Sequence, residues 1–187
     1  MAVDTSRFRN GLKIELDGEP FTIVFFQHVK PGKGGAFVRT KVRNLRTGRV
    51  LDRTFRSGER FDEADIEDRR MQYLYQDGDQ LVFMDTKNYE QIPFTLEQVG
   101  DARTYLKENL EVDVLFWRGR PINIELPAFI EALITGCEPG VKGDTASGST
   151  KPATLETGAV VQVPLFVKEG EVIRVDTRTG EYVERVG

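Results

Sequence analysis

Cysteine and histidine occur once each in 187 residues, as Cys137 and His28. A single cysteine excludes an internal disulfide, and one histidine leaves too few soft donors for a zinc site. No apolar run approaches the roughly 20 residues that span a bilayer as a helix. The opening Met1-Ala2-Val3-Asp4-Thr5 lacks the basic-then-apolar pattern of a signal peptide. The expectation is a cytoplasmic protein without metal, cofactor or membrane anchor. What is present, 39% hydrophobic and 30% charged residues, describes a globular chain long enough for two or three small β-barrels.

The net charge of −4 conceals a split along the chain. Residues 1–60 carry 13 Lys+Arg against 6 Asp+Glu, a net of +7. Residues 61–127 carry a net of −8, and residues 128–187 a net of −3. A basic first third on an otherwise acidic protein points to a polyanionic partner at that end.

Alternating patterns dominate. Leu12–Leu16, Pro20–Val29, Ala36–Asn44 and Arg49–Phe55 read as short strands, with Asp17-Gly18 as a tight turn. Together they predict a small SH3-like barrel. The charge sign flips beyond Ser57-Gly58-Glu59, and the first domain is expected to end near there. Met71–Tyr75 and Leu81–Met84 form a predicted hairpin around Asp77-Gly78-Asp79. Leu96–Leu106 is the one helical stretch, and strands resume at Leu110–Trp117 and Pro121–Leu126, which is the pattern of an OB-type barrel. Beyond Pro127 a strand to Ile134, a Gly/Ser/Thr-rich loop at Gly143–Thr150, and strands at Val160–Val163, Val172–Val175 and Tyr182–Val186 predict a second such barrel. The expected domains are 1–63, 64–127 and 128–187, all of them β.

The most informative segment is His28-Val29-Lys30-Pro31-Gly32-Lys33-Gly34-Gly35-Ala36-Phe37. It separates two strand patterns and so reads as a hairpin loop. Glycine on both sides of Lys33 permits positive φ and removes bulk, and Pro31 restricts the entry. A phosphate-cradling P-loop is disfavoured: the spacing is wrong and a strand follows instead of a helix. Two readings remain open from the residues alone, a plain turn with an incidental lysine and a lysine presented to RNA phosphate or held for modification. Lys30, Arg39, Lys41 and Arg43 nearby favour the second. A Schiff-base lysine is disfavoured because Lys33 reads as exposed, whereas such amines are buried to lower their pKa.

Three stretches carry a family resemblance. Lys30–Phe37 with Lys41-Val42-Arg43-Asn44-Leu45 and Thr47-Gly48 resembles the first domain of elongation factor P. Met71–Tyr75 with Val82-Phe83-Met84-Asp85 is similar to its second domain. Gly143–Ala146, Lys151–Ala159 and Val161–Phe166 resemble its C-terminal signature. The likeness runs in order along nearly the whole chain. It implies an SH3/KOW-like barrel followed by two OB-fold barrels in an L shape like tRNA. It also implies a monomeric, non-enzymatic factor that binds the 70S ribosome between the peptidyl and exit sites, contacting ribosomal RNA and peptidyl-tRNA. Lys33 matches the position where many members carry an added group, supplied by a lysine-modifying enzyme. Its tip would stand beside the CCA end and relieve stalling at consecutive prolines, with Pro31, Gly32, Gly34 and Gly35 supporting it. The loop Gly143, Asp144, Thr145, Ala146, Ser147 and Gly148 reads from composition as a flexible connection; the resemblance implies contact with the small subunit and the exit-site codon. The alternative is a general RNA-binding barrel acting through its basic N-terminal domain alone. His28, Cys137, Trp117, Tyr73, Tyr75 and the acidic run Asp62–Asp68 are expected to be structural or solvated.

Overall fold

A computed structural model of the chain describes residues 1–140 and 149–187. Sixteen strands and very little helix make up these residues, which gather into two compact units: 1–68 with 115–123, and 69–114 with 124–187.

In the first unit, β2 (Lys13–Leu16), β3 (Glu19–Val29), β4 (Phe37–Asn44) and β5 (Val50–Arg56) form an antiparallel sheet in sequential order. Asp17 and Gly18, at φ 52° and 76°, make the two-residue turn between β2 and β3, the geometry that matches right-handed strand twist. β1 (Ala2–Asp4) pairs with β6 (Arg60–Asp62). These two three-residue strands lie far apart in sequence, and the pattern reading did not anticipate either. Their pairing is supported by Thr5, a buried residue whose hydroxyl accepts from the Gly58 amide at 2.7 Å. The inward faces converge on Val3, Phe8, Ile14, Phe21, Ile23, Val38, Val42 and Phe55. Phe8 meets Phe55 edge-on at 6.0 Å, and Phe55 meets Phe61 at 4.7 Å, arrangements that add to simple burial.

Another sheet has the order β11-β10-β7-β8-β9, from β7 (Ile66–Asp77), β8 (Gln80–Asp85), β9 (Gln91–Thr95), β10 (Glu111–Trp117) and β11 (Arg120–Glu125). Phe83 and Phe94 stack at 4.8 Å over its core. The expected helix is one α-helical turn, α1 (Leu96–Val99), continued by a 3-10 stretch to Tyr105. Thr95 begins it through a capping box: its hydroxyl accepts from the Gln98 amide at 3.1 Å, and the Gln98 side chain accepts from the Thr95 amide at 2.9 Å. Gly100, at φ 61°, ends it.

The last sheet orders β14-β13-β12-β15-β16, from β12 (Phe129–Cys137), β13 (Thr150–Leu155), β14 (Val160–Pro164), β15 (Val172–Asp176) and β16 (Glu181–Val186). β12 pairs with β15 through Phe129–Leu133 and with β13 from Ile134 onward, with a register irregularity before Gly136. This change of partner curls the sheet around a core of Ile130, Ala132, Ile134, Leu155, Val161, Val163, Ile173 and Val175.

Candidate RNA-facing tip on the first barrel

β3 and β4 stay paired up to Val29 opposite Phe37, so residues 30–36 form the loop at the end of a long hairpin. Its return is tied down by the Ser57 amide donating to the Ala36 carbonyl at 3.0 Å. Lys30, Pro31, Gly32, Lys33, Gly34 and Gly35 are all exposed. Only Gly34 uses the left-handed region, at φ 98°. A Cβ on Gly32, Gly34 or Gly35 would meet nothing within 4 Å. Backbone conformation therefore calls for glycine at position 34, while positions 32 and 35 serve the slimness of the tip. Of the two glycines that flank Lys33, Gly34 alone uses the positive φ that both permit.

β4 alternates strictly. Val38, Thr40, Val42 and Asn44 are buried, while Arg39, Lys41 and Arg43 are exposed. A two-residue repeat puts these three cations on one face, about 7 Å apart along the strand. Their cross-strand neighbours are Gln27 and Thr54 beside Arg39, Phe25 and Asp52 beside Lys41, and Thr22 and Val50 beside Arg43. Among the described residues Lys30, Lys33, Arg39, Lys41 and Arg43 form no ion pair, whereas Arg46 and Arg53 are engaged by Glu19 and Asp17. Unpaired cations on a sheet keep their charge available to an external anion. Glu15, on the same face of β2, is held by Arg118 at 2.8 Å and by the Trp117 indole at 3.3 Å.

Sequence reading missed Phe25. The β3–β4 register slips between Ile23 and Phe25, leaving Val24 as an extra residue. This bulge reverses the alternation. Phe26 turns toward Phe8, their rings 6.4 Å apart, while Phe25 faces outward at 47% exposure beside Lys41. Two adjacent phenylalanines, breaking a period-two pattern, were the signal available. An exposed ring among unpaired cations has the chemistry of a single-strand or loop RNA contact. Arg56, opposite Phe37, extends the basic face and was also not singled out.

His28 lies within β3 with its ring edge-on to Phe26 at 5.8 Å, and Cys137 is half-buried. The loop Gly143–Gly148 lies outside the described residues. Among the described residues no three metal-ligating side chains cluster, and no helix is long and apolar enough to cross a membrane.

Three family descriptions match the chain in order. They are the elongation factor P KOW-like domain over residues 4–61, the elongation factor P OB domain over 66–124, and the elongation factor P C-terminal domain over 130–185. An elongation factor P of Moorella thermoacetica is 57% identical over 183 residues, covering 98% of this chain and 99% of that one. One from Thermoanaerobacter sp. is 58% identical over 179 residues, covering 96% and 97%. Among solved structures, a translation initiation factor 5A from Methanococcus jannaschii aligns with a TM-score of 0.51 and 24% identity, covering 67% of this chain and 94% of that one. A factor 5A family protein from Naegleria fowleri aligns with a TM-score of 0.55 and 14% identity, covering 67% and 98%. At those identities the structural likeness speaks for the fold of about two thirds of the chain, and the KOW-like and OB barrels are those of the matched family descriptions.

Proposed function

Because this chain belongs to the elongation factor P family, it is a translation elongation factor, and we propose that it acts by holding Lys33 against the end of a ribosome-bound peptidyl-tRNA. The supporting observation is the exposed Lys33 at the apex of a hairpin whose β4 strand presents Arg39, Lys41 and Arg43 on one face. In this reading the cations, with Lys30, neutralise RNA phosphates and set the position of the barrel. The slender Pro31-Gly32-Lys33-Gly34-Gly35 tip then enters a space too narrow for a broader loop. Lysine suits the place because its amine is a flexible point charge that an enzyme can extend.

The binding place is the 70S ribosome between the peptidyl and exit sites, with the protein acting as a cytoplasmic monomer. The domains run 1–63, 64–127 and 128–187, and Gly143–Gly148 reaches toward the exit-site codon. Proline is a sterically restricted nucleophile, and a mobile peptidyl-tRNA spends little time in reactive geometry. Restraining its CCA end raises that fraction, and orientation of this kind is worth up to several kcal/mol. The ribosome supplies the bond-forming chemistry and this chain supplies position.

The test is a reconstituted translation system given a message with three consecutive prolines. Added protein should speed passage through the Pro-Pro-Pro stretch and leave a proline-free message unchanged. Equal effects on both would reject the reading. Peptide-level mass spectrometry of native protein would show whether Lys33 carries an added group. A general RNA-binding barrel, favoured only by the unpaired cations beside Phe25, would instead bind any RNA with similar salt dependence.

A further inference from the structure

β13 breaks its own pattern. Its buried positions are Lys151, Ala153 and Leu155, alternating with exposed Thr150, Pro152 and Thr154. A lysine therefore occupies a core-facing register in a small barrel, where an aliphatic residue is the default. Only 7% of Lys151 is exposed. Its ammonium donates to the Glu138 carbonyl at 2.8 Å, and among the described residues no carboxylate forms an ion pair with it. Buried charges are ordinarily paired, since desolvating an uncompensated ion is costly. An ammonium has three N–H donors, and one carbonyl leaves two of them without a partner among the described residues.

Lys151 lines a cavity of about 430 Å³. Leu165 and Phe166 form its apolar wall, and Gly140 closes one side. A Cβ at Gly140 would lie 2.8 Å from the Leu165 carbonyl oxygen, so glycine permits that close approach. Phe166 is 56% exposed, with the Arg185 guanidinium 4.7 Å over its ring. Glu138, Glu169 and Lys168 also border the cavity. Two acids against two cations, one of them buried, leave the lining near neutral and suit a compact ligand of low charge. Apolar walls with a few convergent polar groups are the usual make-up of a small-molecule site.

We propose that this cavity binds a small organic anion, whose carboxylate or phosphate accepts hydrogen bonds from the Lys151 ammonium and whose aromatic or aliphatic body lies along Leu165 and Phe166. The site is independent of the tip on the first barrel, so its test uses the free, full-length protein. Amide and side-chain spectra would be recorded by NMR during titration with benzoate and with adenosine monophosphate, and in parallel with benzyl alcohol and adenosine. At least one anion should give saturable shifts confined to residues 137–140, 151 and 165–169. Its neutral counterpart should bind at least about tenfold more weakly, a difference of ~1.4 kcal/mol. K151M should abolish the response, and F166A, at an exposed position, should weaken it with the spectrum otherwise intact. The two anions distinguish a carboxylate head from a phosphate head. No saturable response to either anion, equal binding of the neutral counterparts, or an undiminished response in F166A would overturn the proposal.

Discussion

At the scale of single residues, the tip shows which side chains the backbone requires. Gly34 sits at φ 98°, where an L-residue costs about 1–2 kcal/mol. G34A is expected to lower stability by about 1 kcal/mol in urea unfolding, while G32A and G35A stay within about 0.5 kcal/mol of wild type. Equal losses at all three positions would mean that the loop is held by contacts outside its own backbone. Lys33 and the glycines were legible as a presented tip because proline and glycine restrict the chain in known ways. Which glycine carries the positive φ was not legible, since that depends on how the strands enter the loop. Lys151 was equally opaque: no strand pattern was read over it, and only the fold shows it facing a core.

At the scale of elements, strict alternation made β4 readable, because a half-buried strand imposes a period of two. The same rule misled at Val24, where the bulge shifts the phase and turns Phe25 outward. β1 and β6 were missed because three-residue strands carry little pattern and owe their existence to long-range pairing. Two predictions belong here. T95A removes the hydroxyl that caps α1, and should cost ~1 kcal/mol in thermal or urea unfolding. Alanine at Arg39, Lys41 or Arg43 should weaken ribosome binding and reduce the slope of log affinity against log salt by about one for each phosphate no longer neutralised. An unchanged slope for all three would remove the β4 face from the RNA interface.

At the scale of the whole molecule, the charge split by segment was readable from the sequence and matches where unpaired cations gather on the first sheet. Acid response follows from the carboxylates. Hydrogen bonds from Ser6 hold Asp4, and hydrogen bonds from Arg178 hold Asp176, below the usual 3.8. A depressed folded-state pKa contributes stability above the unfolded value and loses it as pH falls through the folded one. Unfolding midpoints should therefore be flat with respect to these groups above about pH 5 and decline below about pH 4, modestly because both are only half-buried. A D4N/D176N variant should show a shallower acid decline. The central claim is tested most directly by K33A in the Pro-Pro-Pro translation assay, with ribosome affinity measured in parallel. The expected result is affinity within about threefold of wild type, ~0.7 kcal/mol, together with loss of the stimulation. Stimulation equal to wild type in K33A would contradict the account.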